Sequence, residues 1–150
     1  MVRATHSVYQ GSYYFEVEIL TSSGPDAHFR VGWSRQHGEL LAPVGFDGHS
    51  YGYRDIDGSK IHKSQRVDHF GESYGPNDII GCYLHLNDDP TLNKIGFFKN
   101  GVFQGYAFEG PEVPGDIYFP AVSVYKKVCS LARLLVVMSP CDSLTVLLGG

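Results

Sequence analysis

Apolar and polar residues alternate with a period of two along much of this chain. The stretches 12–19 and 28–34 show the alternation directly, and 78–86 and 117–125 are rich in β-branched and aromatic residues. Because side chains on a strand point to opposite faces in turn, this pattern is typical of β-strands with one buried face. We therefore expect strands over these four stretches.

Clusters of Gly, Pro, Asn, Asp and Ser separate the predicted strands. One of them, Asn100-Gly101, lies between two aromatic-rich runs and predicts a type I′ hairpin turn with positive φ at both residues. No window of about a dozen residues before residue 130 has a helical period. No unit recurs at a fixed spacing, which argues against a propeller or solenoid. The sequence predicts an all-β protein, an antiparallel β-sandwich or a distorted barrel.

The segment 130–150 differs from the rest of the chain. It is apolar, has no aromatic residue and shows no clear alternation with polar positions. Two structures are compatible with it, namely a short helix that covers one end of the sandwich and a disordered, poorly packed tail.

Composition narrows the functional classes. The 150 residues correspond to one domain, and the three cysteines (82, 129 and 141) have unrelated spacings. These spacings argue against a disulfide framework or a zinc site and favour a reducing compartment. No signal peptide is visible, and the most apolar run, "LARLLVVM", is shorter than the ~20 residues that span a bilayer.

Charge is unevenly distributed along the chain. The net charge of −4 argues against a general nucleic-acid binder, which usually has a basic face. The range 30–66 nevertheless holds six basic and four acidic residues. This local excess is either a binding feature or chance scatter on a solvated surface.

The sequence has no recognisable catalytic or metal-binding motif. It lacks the G-x-S-x-G elbow of a serine nucleophile, and its seven histidines are scattered without metal-ligand spacing. The stretch 55–60 resembles the start of a calcium loop but lacks the glutamate that closes such a site. We expect no catalytic residue, no metal and no cofactor, and a recognition protein rather than an enzyme.

Five motifs in a fixed order resemble the SPRY domain family. They are "YYFEVEI", "RVGWS", "IGCYLHL", "GFFKNG" and "YFPAVSVY". Within that family, two runs look like the Ash-type (absent, small or homeotic discs) subunit of COMPASS/trithorax histone methyltransferase complexes. These runs are "LAPVGFD" and "GSKIHKS". The resemblance implies a concanavalin-like jelly roll, a two-sheet antiparallel β-sandwich, over residues 1–129.

This resemblance also implies a function and partners. Ash-type subunits are nuclear, non-catalytic proteins that pair with a WD-repeat subunit of the retinoblastoma-binding-protein type. The pair stimulates a SET-domain histone H3 lysine methyltransferase. No direct contact with nucleic acid or membrane is implied. A SPRY peptide-recognition adaptor of another kind, for example in a ubiquitin ligase, is the alternative.

The resemblance further implies a partner-binding site. In the family, a basic and aromatic pocket grips an acidic segment of the WD-repeat partner. The matching positions are Arg30, Pro43, Phe46 and Arg54, with Lys60 nearby in sequence. Phe46 stands where tyrosine is more common. Ordinary surface arginines and a turn proline are the alternative interpretation of these residues.

The local pattern agrees with this assignment. Arg30 alternates with Phe29 and Val31, so its guanidinium should stand on the outer face of its strand.

Two parts of the chain depart from the family pattern. We expect the strand that in the family precedes the position of "MVRATHS" to be missing, and the sequence after residue 129 diverges from the family pattern. The docking helix for the small dimeric dumpy-type subunit is therefore expected to be absent. A truncated or alternatively spliced product would explain both departures.

Overall fold

The computed structural model describes residues 1–20, 26–125, 132–138 and 142–147. Within them, short 3₁₀ turns connect extended strands. The strands are β1 (Val2–Arg3), β2 (Gly11–Ile19), β3 (His28–Arg35), β4 (Ser50–Arg54), β5 (Lys60–His62), β6 (Gln65–Val67), β7 (Ile79–Leu86), β8 (Lys94–Lys99), β9 (Val102–Glu109), β10 (Tyr118–Tyr125), β11 (Ala132–Met138) and β12 (Asp142–Leu147). The four predicted strands correspond to β2, β3, β7 and β10, with ends that differ by at most one residue.

The strands form two sheets whose pairings are all antiparallel. Sheet A has the order β1-β10-β3-β4-β5-β6, and sheet B has the order β12-β11-β2-β7-β8-β9. The expected two-sheet antiparallel β-sandwich is therefore confirmed. Over the described ranges, the chain contains no helix with the length and apolar character that a membrane crossing requires.

The core lies between the two sheets and is rich in aromatic side chains. Phe15 of sheet B and Trp33 of sheet A, both fully buried, meet edge to face with ring centroids 4.8 Å apart. Such a contact adds about 0.5–1.5 kcal/mol to the burial of the two rings. Tyr51 and Tyr53 of β4 extend the same layer. The inward positions are those that the period-two pattern predicts.

The Asn100-Gly101 hairpin joins β8 to β9 as predicted. Both residues have positive φ, 50° and 80°, and Lys99 pairs with Val102 across the turn. The Asn100 side chain also accepts a hydrogen bond from the Ile79 N–H, which ties the hairpin to β7. The turn therefore fixes the register of the β8–β9 pair.

Strands β11 and β12 occupy part of the segment for which we expected a short helix or a disordered tail. The first four residues of β11 pair with Glu16–Ile19 of β2. Because β7 covers only one edge of β2, the backbone donors and acceptors of the other edge are available for this pairing with β11. The structure therefore differs from the expectation over these residues. The expected domain boundary at residue 129 lies outside the described residues.

Replacement of Phe15 by alanine should destabilise the sandwich strongly. The change removes a fully buried ring from the contact between the sheets, which typically costs about 3–5 kcal/mol. Denaturant unfolding followed by tryptophan fluorescence would measure the loss. Phe103→Ala is the matched control, because that ring is partly exposed, and should cost at most about 1.5 kcal/mol. Equal losses in the two variants would contradict this description of the core.

Alkaline pH should destabilise the fold through its buried tyrosines. Burial raises the pKa of Tyr51 to about 12 and raises the pKa values of Tyr53, Tyr74 and Tyr118 above the ordinary 10.0. These phenols stay neutral in the folded state at a pH where they ionise in the unfolded chain. Their contribution is complete below about pH 10 and is lost as pH rises through the raised values.

The measurement is the free energy of unfolding at several pH values above about 9, with phenolate absorbance recorded alongside. Tyr51→Phe should reduce the slope by up to about 1.4 kcal/mol per pH unit, which corresponds to one proton. Tyr9→Phe, at a residue that is 71% exposed, is the matched control for the substitution itself. A slope that Tyr51→Phe does not alter would contradict the prediction.

Candidate functional site

Two arginines stand side by side on the outer face of sheet A. Arg30 of β3 lies directly opposite Arg54 of β4 in the antiparallel register. Phe29 and Val31, the neighbours of Arg30, are buried in the core, whereas both arginines are half-buried on the other face. The strand pairing therefore brings together two of the predicted site residues that are far apart in sequence.

Neither guanidinium forms an ion pair with a described carboxylate. Desolvation lowers the pKa of Arg30, and the adjacent charges of Arg54 and Arg66 lower it further, although Asp55 partly offsets them. A half-buried cation beside like charges is an unfavourable arrangement. A carboxylate or phosphate placed between Arg30 and Arg54 would relieve it, and two planar guanidinium groups suit such anions.

A loop between β3 and β4 crosses the outer face next to Arg30. Its central residue, Val44, is fully buried, and its N–H donates to the Ser123 hydroxyl at 3.0 Å. The Val44 carbonyl accepts a hydrogen bond from Nη1 of Arg30 at 3.2 Å. The loop is thereby anchored to β10 and β3, and Arg30 has a fixed position against it.

Pro43 and Phe46 are the ends of a turn in this loop. The Phe46 N–H donates to the Pro43 carbonyl at 3.1 Å. Gly45, at the third position, has a φ of 85°, and a Cβ there would lie 2.6 Å from the Ile61 carbonyl oxygen. Both the conformation and the close approach therefore require glycine.

The turn presents its two outer residues to solvent. Pro43 is exposed, and 54% of the Phe46 surface is accessible. The Ser64 side chain donates to the Phe46 carbonyl at 2.7 Å, which fixes the turn against the β5–β6 hairpin. Val44, whose carbonyl accepts a hydrogen bond from Arg30, lies between Pro43 and Phe46 in this turn. We call the predicted residues Arg30, Arg54, Pro43 and Phe46 together the arginine pocket.

Lys60 lies elsewhere, on the face of β5 that points between the sheets. It pairs in register with core residue Tyr53. Its Nζ donates to the Ala107 carbonyl at 2.6 Å and lies 5.3 Å from the centre of the Phe108 ring. These contacts join sheet A to β9. The structure does not bring Lys60 to the arginine pocket.

Two residues that shape the arginine pocket were not predicted from the sequence. Ser123 lies opposite Arg30 on β10 and anchors the loop through Val44. The available signal was a single serine among apolar and aromatic residues in "FPAVSVY". Arg66 of β6 affects Arg30 electrostatically and pairs with Asp68 at 2.8 Å. No pattern in the short segment 65–67 indicated this placement.

No group of three or more His, Cys, Asp or Glu side chains converges on a possible metal position in the part of the chain that the structure describes. The arginine pocket contains no activated nucleophile or general base. Its polar groups are guanidinium donors, which suit an anion, and its exposed apolar side chains are Pro43 and Phe46.

Several curated proteins are similar to this chain. One is "Set1/Ash2 histone methyltransferase complex subunit ASH2" of Drosophila melanogaster, with 33% identity over 84% of this chain and 29% of the relative. The Caenorhabditis elegans "Set1/Ash2 histone methyltransferase complex subunit ash-2" is 40% identical over 89% of this chain and 31% of the relative. "Ran-binding protein 9" of Xenopus tropicalis is 36% identical over 78% of this chain and 20% of the relative. The chain thus spans about a third or less of the length of these relatives.

Solved structures support the fold. The human SPRY domain has a TM-score of 0.64 and 25% identity, and the match covers 86% of this chain and 81% of that chain. The SPRY domain of human HERC1 has the same TM-score at 24% identity, over 80% of this chain and 70% of that one. The family model described as "SPRY domain" matches residues 12–134. The chain therefore belongs to the SPRY domain family.

Proposed function

We propose that this protein is a non-catalytic interaction subunit of a nuclear histone methyltransferase complex. In this proposal, the arginine pocket binds an acidic segment of a WD-repeat partner and thereby helps to stimulate a SET-domain enzyme that methylates histone H3 lysine. The observation that carries the proposal is the adjacent pair Arg30 and Arg54, which has no described counter-ion. Similarity to subunits named for Set1/Ash2 complexes supports it.

The geometry suits an extended acidic peptide. Carboxylates would accept hydrogen bonds from Arg30 and Arg54, each worth about 1.5–3 kcal/mol where the contact is partly desolvated. Pro43 and Phe46 would form an apolar wall beside these charges, held rigid by the anchored loop. Because the loop is already ordered, binding would cost little additional conformational entropy.

The proposal assigns stimulation to binding rather than to chemistry in this chain. Holding a WD-repeat partner fixes that partner relative to the methyltransferase, so the contact with the enzyme is indirect. We propose no direct contact with nucleic acid or membrane, and no contact with the dumpy-type subunit, whose docking helix we expect to be absent. Similarity to Ran-binding proteins favours a second candidate, a SPRY adaptor of another kind that reads a short peptide.

Replacement of either pocket arginine by alanine should weaken binding of an acidic peptide. A fluorescein-labelled peptide from the acidic segment of a WD-repeat partner would be titrated by fluorescence anisotropy at low salt. Loss of one charge-assisted contact should lower the affinity about 10- to 100-fold. Higher ionic strength should weaken the wild type in the same direction, because exposed charges are screened.

The matched control for the arginine variants is Lys94→Ala. This change removes the same charge from sheet B and should leave the affinity within about twofold, since screening suppresses distant charges. Wild-type affinity in both Arg30→Ala and Arg54→Ala would contradict the pocket assignment. Recovery of methyltransferase subunits from nuclear extract, lost in the arginine variants, would distinguish the proposal from the second candidate.

Lys60→Ala should affect stability rather than binding. The change removes the hydrogen bond to Ala107 and the contact with the Phe108 ring, with an expected loss of about 1–3 kcal/mol in unfolding free energy. Denaturant unfolding and the same peptide titration would be run on one preparation. A loss of affinity without a loss of stability would instead place Lys60 in the binding site.

A further inference from the structure

The loop that carries the arginine pocket also exposes two leucines. Leu41 is 97% exposed and Leu40 is 49% exposed. A single exposed leucine is ordinary on a protein surface. These two residues, however, lie in the same loop as the exposed Pro43 and Phe46, so four exposed apolar side chains occur within seven residues.

Hydrogen bonds hold Leu41 in place. Its N–H donates to the Glu39 carboxylate at 2.9 Å, and the Ala42 N–H donates to the Glu39 carbonyl at 3.3 Å. The Glu39 N–H in turn donates to the Asp47 carboxylate at 2.8 Å. Leu41 is therefore the third residue of a closed turn, and the turn is tied to the far end of the same loop.

Leu41 lies close to the arginine pocket. It is two residues from Pro43, so their Cα atoms are at most about 7 Å apart. The loop crosses the outer face of sheet A at Val44, which contacts Arg30. An extended segment that binds Arg30 and continues along the loop past Pro43 toward residue 41 would pass the Leu41 side chain.

We propose that Leu41 selects among acidic segments. The preferred partner segment has an apolar side chain beside its carboxylates, and that side chain packs on Leu41 while the carboxylates bind Arg30 and Arg54. This inference rests on the proposed function. Complementary charge favours an acidic segment, and the exposed Leu41 side chain favours a segment that also has an apolar side chain. A purely acidic segment should therefore bind less tightly. Burial of an apolar side chain contributes energy that salt does not screen.

The test uses fluorescein-labelled synthetic peptides with a run of Asp and Glu residues. The residues that flank this run on either side are serine in the reference peptide. In each test peptide, one of these flanking serines is replaced by leucine. For the wild type, leucine at one or more positions should tighten binding about tenfold, and the gain should persist at raised salt. Leu41→Ser should abolish the gain but leave the affinity for the reference peptide unchanged.

Leu92→Ser is the matched control. Leu92 is 53% exposed in the 3₁₀ turn Pro90–Leu92, between β7 and β8 of sheet B, and its replacement should leave the leucine gain intact. Thermal unfolding of Leu41→Ser should match the wild type, because the side chain it replaces is almost wholly in solvent. This measurement separates a binding defect from a folding defect.

The outcomes also separate the two proposals. If Arg30→Ala and Arg54→Ala bind the reference peptide as well as the wild type, the proposed function fails. If those variants weaken binding but no leucine position improves it, only the present inference is overturned. A leucine gain that survives in Leu41→Ser would equally overturn it.

Discussion

The register between β3 and β4 is the constraint on which both the core and the arginine pocket depend. Arg30 lies opposite Arg54, and Val31 lies opposite Tyr53. Because side chains alternate, the same pairing sends Val31 and Tyr53 into the core and both arginines to the outer face. A slip of one residue would exchange the faces and bury a guanidinium at a cost of several kcal/mol. The packing of the core thus places two like charges, Arg30 and Arg54, next to each other on neighbouring strands.

The loop over the outer face adds a second constraint. The N–H of its buried residue, Val44, donates a hydrogen bond to the Ser123 hydroxyl, and the Val44 carbonyl accepts one from Arg30. This single residue therefore links β3 to β10. Arg30 consequently has one neutral acceptor but no described carboxylate partner. Such an arrangement orients the guanidinium without neutralising it. An incoming anion would find the donor already positioned, which reduces the entropic cost of binding.

Long alternating segments explain how much of the fold the sequence predicts. The predicted bounds of β2 and β3 agree with the structure to within one residue, because the alternation extends over most of each strand. The Asn100-Gly101 turn was predictable because a type I′ turn requires residues that tolerate positive φ. Strands β5 and β6 are only three residues long, which is too short for any period to be recognised. These elements take their conformation from neighbouring strands.

The positions of the site residues are likewise only partly predictable from local sequence. The outward position of Arg30 follows from its own strand, but its adjacency to Arg54 depends on a pairing across the long connection 36–49. No local turn signal fixes that pairing. Lys60 lies close to Arg54 in sequence, yet its register with Tyr53 turns it toward the space between the sheets. Proximity in sequence is therefore a poor guide to the face on which a side chain lies.

The two outer faces of the sandwich differ in what their exposed side chains do. On sheet B, the rings of Phe103 and Tyr106 cover Gly96, where a Cβ would lie 3.0 and 3.1 Å from them. The two rings cover the backbone that Gly96, which has no side chain, would otherwise expose. Their partly exposed position is therefore explained by a contact within the sheet. In the loop over sheet A, the Leu41 N–H donates a hydrogen bond to the Glu39 carboxylate, and the Leu41 side chain is almost wholly in solvent. Charge without a described counter-ion and exposed apolar side chains therefore occur on the same side of the sandwich, as the proposed binding of an acidic segment with an apolar side chain would require.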